Sequence, residues 1–124
     1  MKKLKKTCGC GELNSKDIGR EVVLMGWAQR VRDHGGLIFV DVRDRTGIVQ
    51  VVCDPKESPS AYEVMKGWRS EFVVAVKGKV RRRPPGTENP NIPTGEIEVS
   101  AELAETLNPS LPPPFLVRDQ IDVE

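Results

Sequence analysis

EVVLMGWAQRVRDHGGLIFVDVRDRTGIVQVVCD, residues 21–54, carries three candidate β-strands in succession. The strands are rich in β-branched residues, and two turns that contain glycine separate them, at Gly35-Gly36 and at residues 44–47 (DRTG). Apolar side chains alternate along the second and third strands. The alternation predicts one inward face, formed by Ile38, Val40 and Val42 and by Val49, Val51 and Cys53.

The sequence that follows adds a helix and two more strands. In residues 60–67 apolar residues recur at helical spacing, and residues 71–81 and 94–103 have the composition of a fourth and a fifth strand. Five strands with one short helix between the third and the fourth predict an all-β OB-fold, a five-stranded Greek-key barrel. An SH3-like barrel also has five strands, but it has no place there for a helix of this length.

Proline content marks the end of the predicted barrel. Eight of the ten prolines follow residue 83, which predicts an irregular loop at residues 84–93 and a stiff linker near the end of the chain. We therefore expect an OB-fold domain at residues 1–107 and a proline-rich linker, the start of a hinge region, at residues 108–124. The basic residues 1–6 (MKKLKK) are expected to be disordered or to derive from an expression vector.

Charge is distributed unevenly along the 124 residues. Residues 1–83 hold 18 Lys or Arg and 10 Asp or Glu, whereas residues 84–124 hold one Arg and 8 acidic residues. Clustered bases most often neutralise phosphates, so the first part favours a polyanionic partner such as a nucleic acid. A solvated surface of uneven charge is the alternative explanation.

Composition also bounds the compartment and the chemistry. No apolar run approaches the roughly 20 residues that cross a bilayer, and the N-terminus lacks the apolar stretch of a signal peptide. Three cysteines, an odd number, argue against a disulfide framework and fit a reducing cytosol, so a cytoplasmic protein is expected. Cys8 and Cys10 supply only two of the four ligands of a zinc site. No nucleophile, carboxylate pair or phosphate loop forms a complete catalytic site, and the sequence predicts neither catalytic nor metal-binding residues.

Strand alternation also predicts an outward face. If the apolar residues point inward, then Phe39 and Asp41, Gln50, and Glu96 and Glu98 point outward, beside Arg30 and Arg32. An aromatic ring, an amide, a carboxylate and arginines can together stack on and hydrogen-bond single-stranded bases. The alternative is that Phe39 belongs to the core and Gln50 is a solvated strand residue.

The densest basic run is KGKVRRR, residues 77–83. Alternation places Lys77, Lys79, Arg81 and Arg83 on one strand face, as a stripe that could follow a phosphate backbone. An edge strand kept basic to deter pairing with other strands is the alternative explanation.

GWAQRVRDHGGLIFVDVRDRTGIVQVVCDP, residues 26–55, closely resembles the anticodon-binding domain of bacterial-type aspartyl-tRNA synthetases. TCGCGELNSKDIGREVVLMGW before it, SEFVVAVKGKVRRR after it and TGEIEV near residue 97 support the resemblance. The family departs from this sequence at two places, because it often has arginine where Val31 stands and a single CG where CGCG occurs here.

The resemblance implies a role for individual residues. Phe39 would stack on the middle anticodon base, Gln50 would hydrogen-bond that base, and Glu98 would read the first base. Four arginines would contact the backbone and neighbouring bases: Arg30, Arg32, Arg81 and Arg83. His34, in RDHGG, stands where enzymes specific for the aspartate tRNA tend to have leucine, and therefore suggests the non-discriminating group, which also charges the asparagine tRNA.

The resemblance also implies partners and cofactors. The partners are tRNA(Asp), tRNA(Asn) and a class II catalytic domain outside this chain, in a full-length enzyme that forms a homodimer and uses ATP and magnesium. This domain itself is expected to need no cofactor, to bind tRNA and to be inactive alone. A free-standing OB-fold that binds single strands or a protein is the rival hypothesis, and a fragment that binds no nucleic acid is the third.

Overall fold

Two 3₁₀ turns, Cys10–Glu12 and Ser15–Asp17, precede the first strand in the computed structural model, which describes residues 6–108. The elements that follow are β1 (Glu21–His34), β2 (Leu37–Asp44), β3 (Gly47–Cys53), α1 (Pro59–Met65), β4 (Val73–Arg82) and β5 (Ile97–Asn108). The expectations for residues 1–5 and 109–124 lie outside the described residues. The predicted order of elements, with one short helix between β3 and β4, is confirmed.

The strands close into a barrel in the order β1-β2-β3-β5-β4, with β4 paired back to β1. Every pairing is antiparallel except the one between β3 and β5, where Val51 lies opposite Val99. This is the Greek-key connectivity of the five-stranded OB-fold. The fold class predicted from the sequence is therefore confirmed.

Two strands, β1 and β5, end later than predicted because backbone pairing with a neighbouring strand extends them. β1 continues to His34, which pairs with Leu37, so only Gly35 and Gly36 form the turn. Both glycines have positive φ, 62° and 84°, as tight hairpin turns require. His34 is therefore the last residue of β1 and does not lie in the connection between β1 and β2. β5 likewise runs to Asn108 because the beginning of β4 pairs with it.

The barrel core contains the predicted inward residues. The six inward residues of β2 and β3 are at most 2% exposed. Helix α1 closes one end of the barrel with Ala61 and Met65, and the Nε1–H of the adjoining Trp68 donates to Thr106 Oγ1 at 2.8 Å. None of the helices in this part of the chain is long and apolar enough to cross a membrane.

The N-terminal segment packs on the β2–β3 hairpin through Asp44, which is 2% exposed. One oxygen of this carboxylate accepts from the backbone and hydroxyl of Thr46, and the other accepts from the backbone N–H of Cys10 at 2.9 Å. Cys10 and Cys53 are fully buried, and burial raises the pKa of the Cys53 thiol to about 11. Within residues 6–108 no cluster of three His, Cys, Asp or Glu could hold a metal ion.

Candidate nucleic-acid interface

The outer face of β1, β2 and β3 carries two rows of side chains at right angles to the strands. Arg30 lies opposite Asp41, which lies opposite Gln50. In the next row, Arg32 lies opposite Phe39, which lies opposite Val52. Directly opposite residues on one sheet face are close enough to interact. Most of the predicted base-reading residues therefore come together on one surface.

A β-bulge brings the two arginines to this surface. Val22, Leu24 and Ala28 point into the barrel, and strict alternation would send Arg30 and Arg32 inward as well. The register instead shifts between Ala28 and Arg30, so that the strand faces reverse from that point. Val31 then packs against the barrel core.

A chain of hydrogen bonds joins the polar side chains of the interface. Arg32 Nη2 donates to Gln50 Oε1 at 3.2 Å, Gln50 Nε2 donates to Glu98 Oε1 at 2.9 Å, and Arg81 Nε donates to Glu98 Oε2 at 2.8 Å. Gln50 and Glu98 are on the predicted outer face, yet they are only 6% and 2% exposed because these neighbours cover them. The network fixes the orientation of the amide and of the carboxylate before any ligand arrives.

Phe39 lies between two clefts. It is half-buried on the outer face and belongs to neither buried apolar cluster, which decides against its being core. The guanidinium of Arg32 lies over its ring, 5.3 Å from the centroid. The cleft on one side has a volume of about 570 Å³ and the other about 100 Å³. Phe39, Gln50 and Thr87 line both clefts.

The larger cleft is mainly basic. The predicted residues Arg30, Arg32, His34 and Arg83 line it, while Glu98 and Arg81 line the smaller cleft. Sequence reasoning missed five residues that line the larger cleft: Gln29, Ile48, Thr87, Asn89 and Ile92. Three of these lie in the segment between β4 and β5, whose path across the barrel has no periodic signature in the sequence.

The predicted basic stripe requires Arg81 and Arg83 to be equivalent, but the structure shows that they differ. Arg81 lies in β4 with 44% of its side chain exposed. Arg83 follows the end of β4 and is only 5% exposed, because its guanidinium turns into the protein. The prediction that Arg83 continues an exposed stripe is wrong.

Asp41 is the acidic member of the larger cleft. Burial raises the pKa of this carboxyl group above its ordinary value, and the charges of Arg32, Arg30 and Arg83 oppose that rise. Burial likewise lowers the pKa of Arg83, against the favourable carboxylates of Glu98 and Asp41. An arginine nevertheless stays charged at neutral pH, so the cleft keeps its positive character.

A comparison with protein families gives a match to the tRNA anticodon family of OB-fold nucleic acid binding domains over residues 22–107. The chain belongs to this family. The match spans all five strands and every predicted base-reading residue. The resemblance to an anticodon-binding domain is therefore confirmed.

Known proteins agree with that assignment. The chain is 60% identical over 121 residues to the aspartate–tRNA(Asp/Asn) ligase of Moorella thermoacetica and 56% identical over 119 residues to that of Geotalea uraniireducens, covering 98% and 96% of this chain. It spans about one fifth of the length of these curated relatives, 20% of each. The crystal structure of asparaginyl-tRNA synthetase from Pyrococcus horikoshii complexed with asparaginyl-adenylate matches 87% of this chain and 23% of its own, with 29% identity and a TM-score of 0.71.

Proposed function

We propose that this domain binds the anticodon loop of tRNA(Asp) and tRNA(Asn) as the anticodon-reading part of an aspartate–tRNA ligase. The observation that carries the proposal is the half-exposed ring of Phe39 between two clefts, beside the hydrogen-bonded Gln50 and Glu98. A splayed-out base can stack on this ring while its edge meets the amide and the carboxylate. The family and the names of the curated relatives support the same assignment.

Each residue of the interface has a role in this proposal. Phe39 stacks on the middle anticodon base and Gln50 hydrogen-bonds its edge, while Glu98 accepts from the N–H groups of the first base. Arg30, Arg32 and Arg81 contact the backbone or neighbouring bases from the rims of the two clefts.

The catalytic steps are assigned to a different part of a longer protein. The curated relatives are about five times as long as this chain, and we place the class II catalytic domain, with its ATP and magnesium, in that remainder. We further propose a cytoplasmic homodimer for the full-length enzyme. The 124-residue chain should bind tRNA without catalysing aspartate-dependent pyrophosphate exchange.

Binding of labelled anticodon stem-loops tests the proposal. The 124-residue chain is titrated into stem-loops with aspartate, asparagine and lysine anticodons at two salt concentrations. We expect the aspartate and asparagine loops to bind more tightly than the lysine loop, with affinities that fall as salt rises. Equal affinity for any single strand would instead identify a general single-strand-binding OB-fold, and affinity independent of salt would exclude a nucleic-acid partner.

His34 is the proposed determinant of the relaxed specificity. The exposed imidazole lines the larger cleft at the end of β1. The two anticodons differ only in their third base, C or U, and an imidazole can donate or accept according to its tautomer. We expect the two loops to bind within about tenfold, a difference under about 1.4 kcal/mol. His34→Leu should widen the difference in favour of the aspartate loop, and a hundredfold preference in the unmodified chain would refute the assignment.

A further inference from the structure

Residues 84–96, between β4 and β5, form one wall of both clefts without regular secondary structure. Thr87 lines both clefts, and Asn89 and Ile92 line the larger one. A loop that shapes a binding site has to be held in one conformation to contribute to selectivity. The structure therefore has to supply contacts that fix this wall.

Arg83 makes several of those contacts from inside the wall. Its Nε donates to Ile97 O and its Nη1 donates to Thr87 O, both at 3.1 Å. Its backbone N–H donates to Glu96 O at 3.0 Å. One residue thus joins the first turn of the loop to its last residue and to the start of β5. Only a planar guanidinium offers donors in this fixed fork, which the single ammonium of lysine cannot reproduce.

The charge of Arg83 is partly compensated within the protein, because burial lowers the pKa of its guanidinium and nearby carboxylates oppose that change. The carboxylates of Glu98 and Asp41 favour the cation, and only 5% of the residue is exposed. Arg81, with 44% of its side chain exposed, can meet a phosphate from the surface. Arg83 lines the larger cleft but is only 5% exposed, so it has little surface to offer one.

We propose that Arg83 is a positioning residue, which sets base selectivity by holding residues 84–96 against β5 and does not neutralise a phosphate. This inference rests on the proposed function, because the selectivity in question is that of the anticodon loop. Without the fork, Thr87 moves relative to Phe39, and both clefts lose the shape that separates a correct from an incorrect base.

The variants Arg83→Lys and Arg83→Gln separate positioning from charge. Both should bind the aspartate stem-loop about tenfold more weakly, as expected for loss of buried hydrogen bonds from a charged donor. The affinity for a stem-loop with one altered anticodon base should fall by less than about twofold. The ratio of the affinity for the aspartate stem-loop to the affinity for the altered stem-loop therefore falls. The slope of log affinity against log salt should stay unchanged, because no phosphate contact is removed.

Arg82→Lys is the matched control, since Arg82 is the exposed neighbour at the end of β4. Amide hydrogen exchange over residues 84–96 should accelerate in Arg83→Lys and not in Arg82→Lys. Thermal unfolding of each variant is measured so that binding is compared at temperatures where all are folded.

Three results would overturn the inference. The first is that Arg83→Lys binds like wild type, which would mean that charge suffices. The second is that Arg83→Gln reduces the salt slope by about 0.7, the value for one single-strand phosphate. The third is that the affinities for the aspartate stem-loop and for the altered stem-loop fall in the same proportion. If the wild-type chain already shows no preference among stem-loops, the proposed function fails before any variant is compared. If the wild-type chain discriminates among the stem-loops and the Arg83 variants discriminate equally well, only the positioning role is refuted.

Discussion

Replacing Phe39 by alanine removes the ring that lies between the two clefts. A base stacked on an aromatic side chain contributes about 1–3 kcal/mol to single-strand binding, so affinity for the aspartate stem-loop should fall by about 5-fold to 150-fold. The ring lies on the outer face of β2, and the apolar core lies on the opposite face. Binding should therefore change much more than stability.

The effect of Phe39→Ala on stability follows from its contacts. A buried phenylalanine costs about 3–5 kcal/mol when it is truncated to alanine. Phe39 is half-buried, and the guanidinium carbon of Arg32 lies 5.3 Å from the centroid of its ring. A cation–π interaction of this kind contributes about 0.5–1 kcal/mol at an exposed site. We expect a loss of about 1 kcal/mol in the free energy of unfolding, which lowers the Tm of a domain of this size by about 4–8 °C.

Fluorescence anisotropy with a labelled stem-loop measures the affinity, and circular dichroism measures thermal unfolding. Phe39→Leu keeps apolar bulk without a π-face and should lose nearly as much affinity as alanine. Tyr62→Ala, in α1 and outside both clefts, is an aromatic control that should leave affinity unchanged. Unchanged affinity in Phe39→Ala, or a stability loss of the size seen for buried rings, would refute the stacking role.

Two further predictions concern stability. Asp44→Ala leaves the buried N–H of Cys10 without its acceptor and removes both bonds to Thr46, so the free energy of unfolding should fall by about 2–4 kcal/mol in urea titrations; a change under 1 kcal/mol would contradict this. Because the pKa of Asp41 is raised in the folded state, its contribution to stability is fully present below the ordinary carboxyl value and is lost as pH rises through the raised value. Asp41→Asn should therefore gain stability relative to wild type as pH rises above the ordinary carboxyl pKa, and a difference in Tm that does not change with pH would contradict the raised pKa.

Alternation in β2 and β3 was sufficient to predict the inward residues, because these strands are regular ladders with a period of two. The position of Arg30 and Arg32 was inferred correctly, yet alternation along β1 alone gives the opposite face. The bulge in β1 lies where the strand changes partner. The part of β1 before the bulge pairs with β4, and the part after it pairs with β2. Nothing in the residues QRVR announces that change of partner.

Arg83 could not be assigned from its neighbours in the sequence for a similar reason. Its hydrogen-bond acceptors are the carbonyls of Thr87 and Ile97, and the latter is 14 positions away across an irregular loop. A basic run read as a strand places every second residue on one face only while the strand continues. β4 ends at Arg82, and the next side chain takes its direction from the loop.

The network around Gln50 and Glu98 explains how a small site can reject an incorrect base. In the free protein both carboxylate oxygens of Glu98 accept hydrogen bonds, from Gln50 and from Arg81. A base that donates to this carboxylate can replace or extend those bonds, so the buried charge stays satisfied. A base that presents an acceptor instead either leaves the existing bonds intact and gains nothing, or disrupts them and leaves a carboxylate, 2% exposed, without a donor. Selectivity then arises more from the cost of the incorrect base than from added affinity for the correct one.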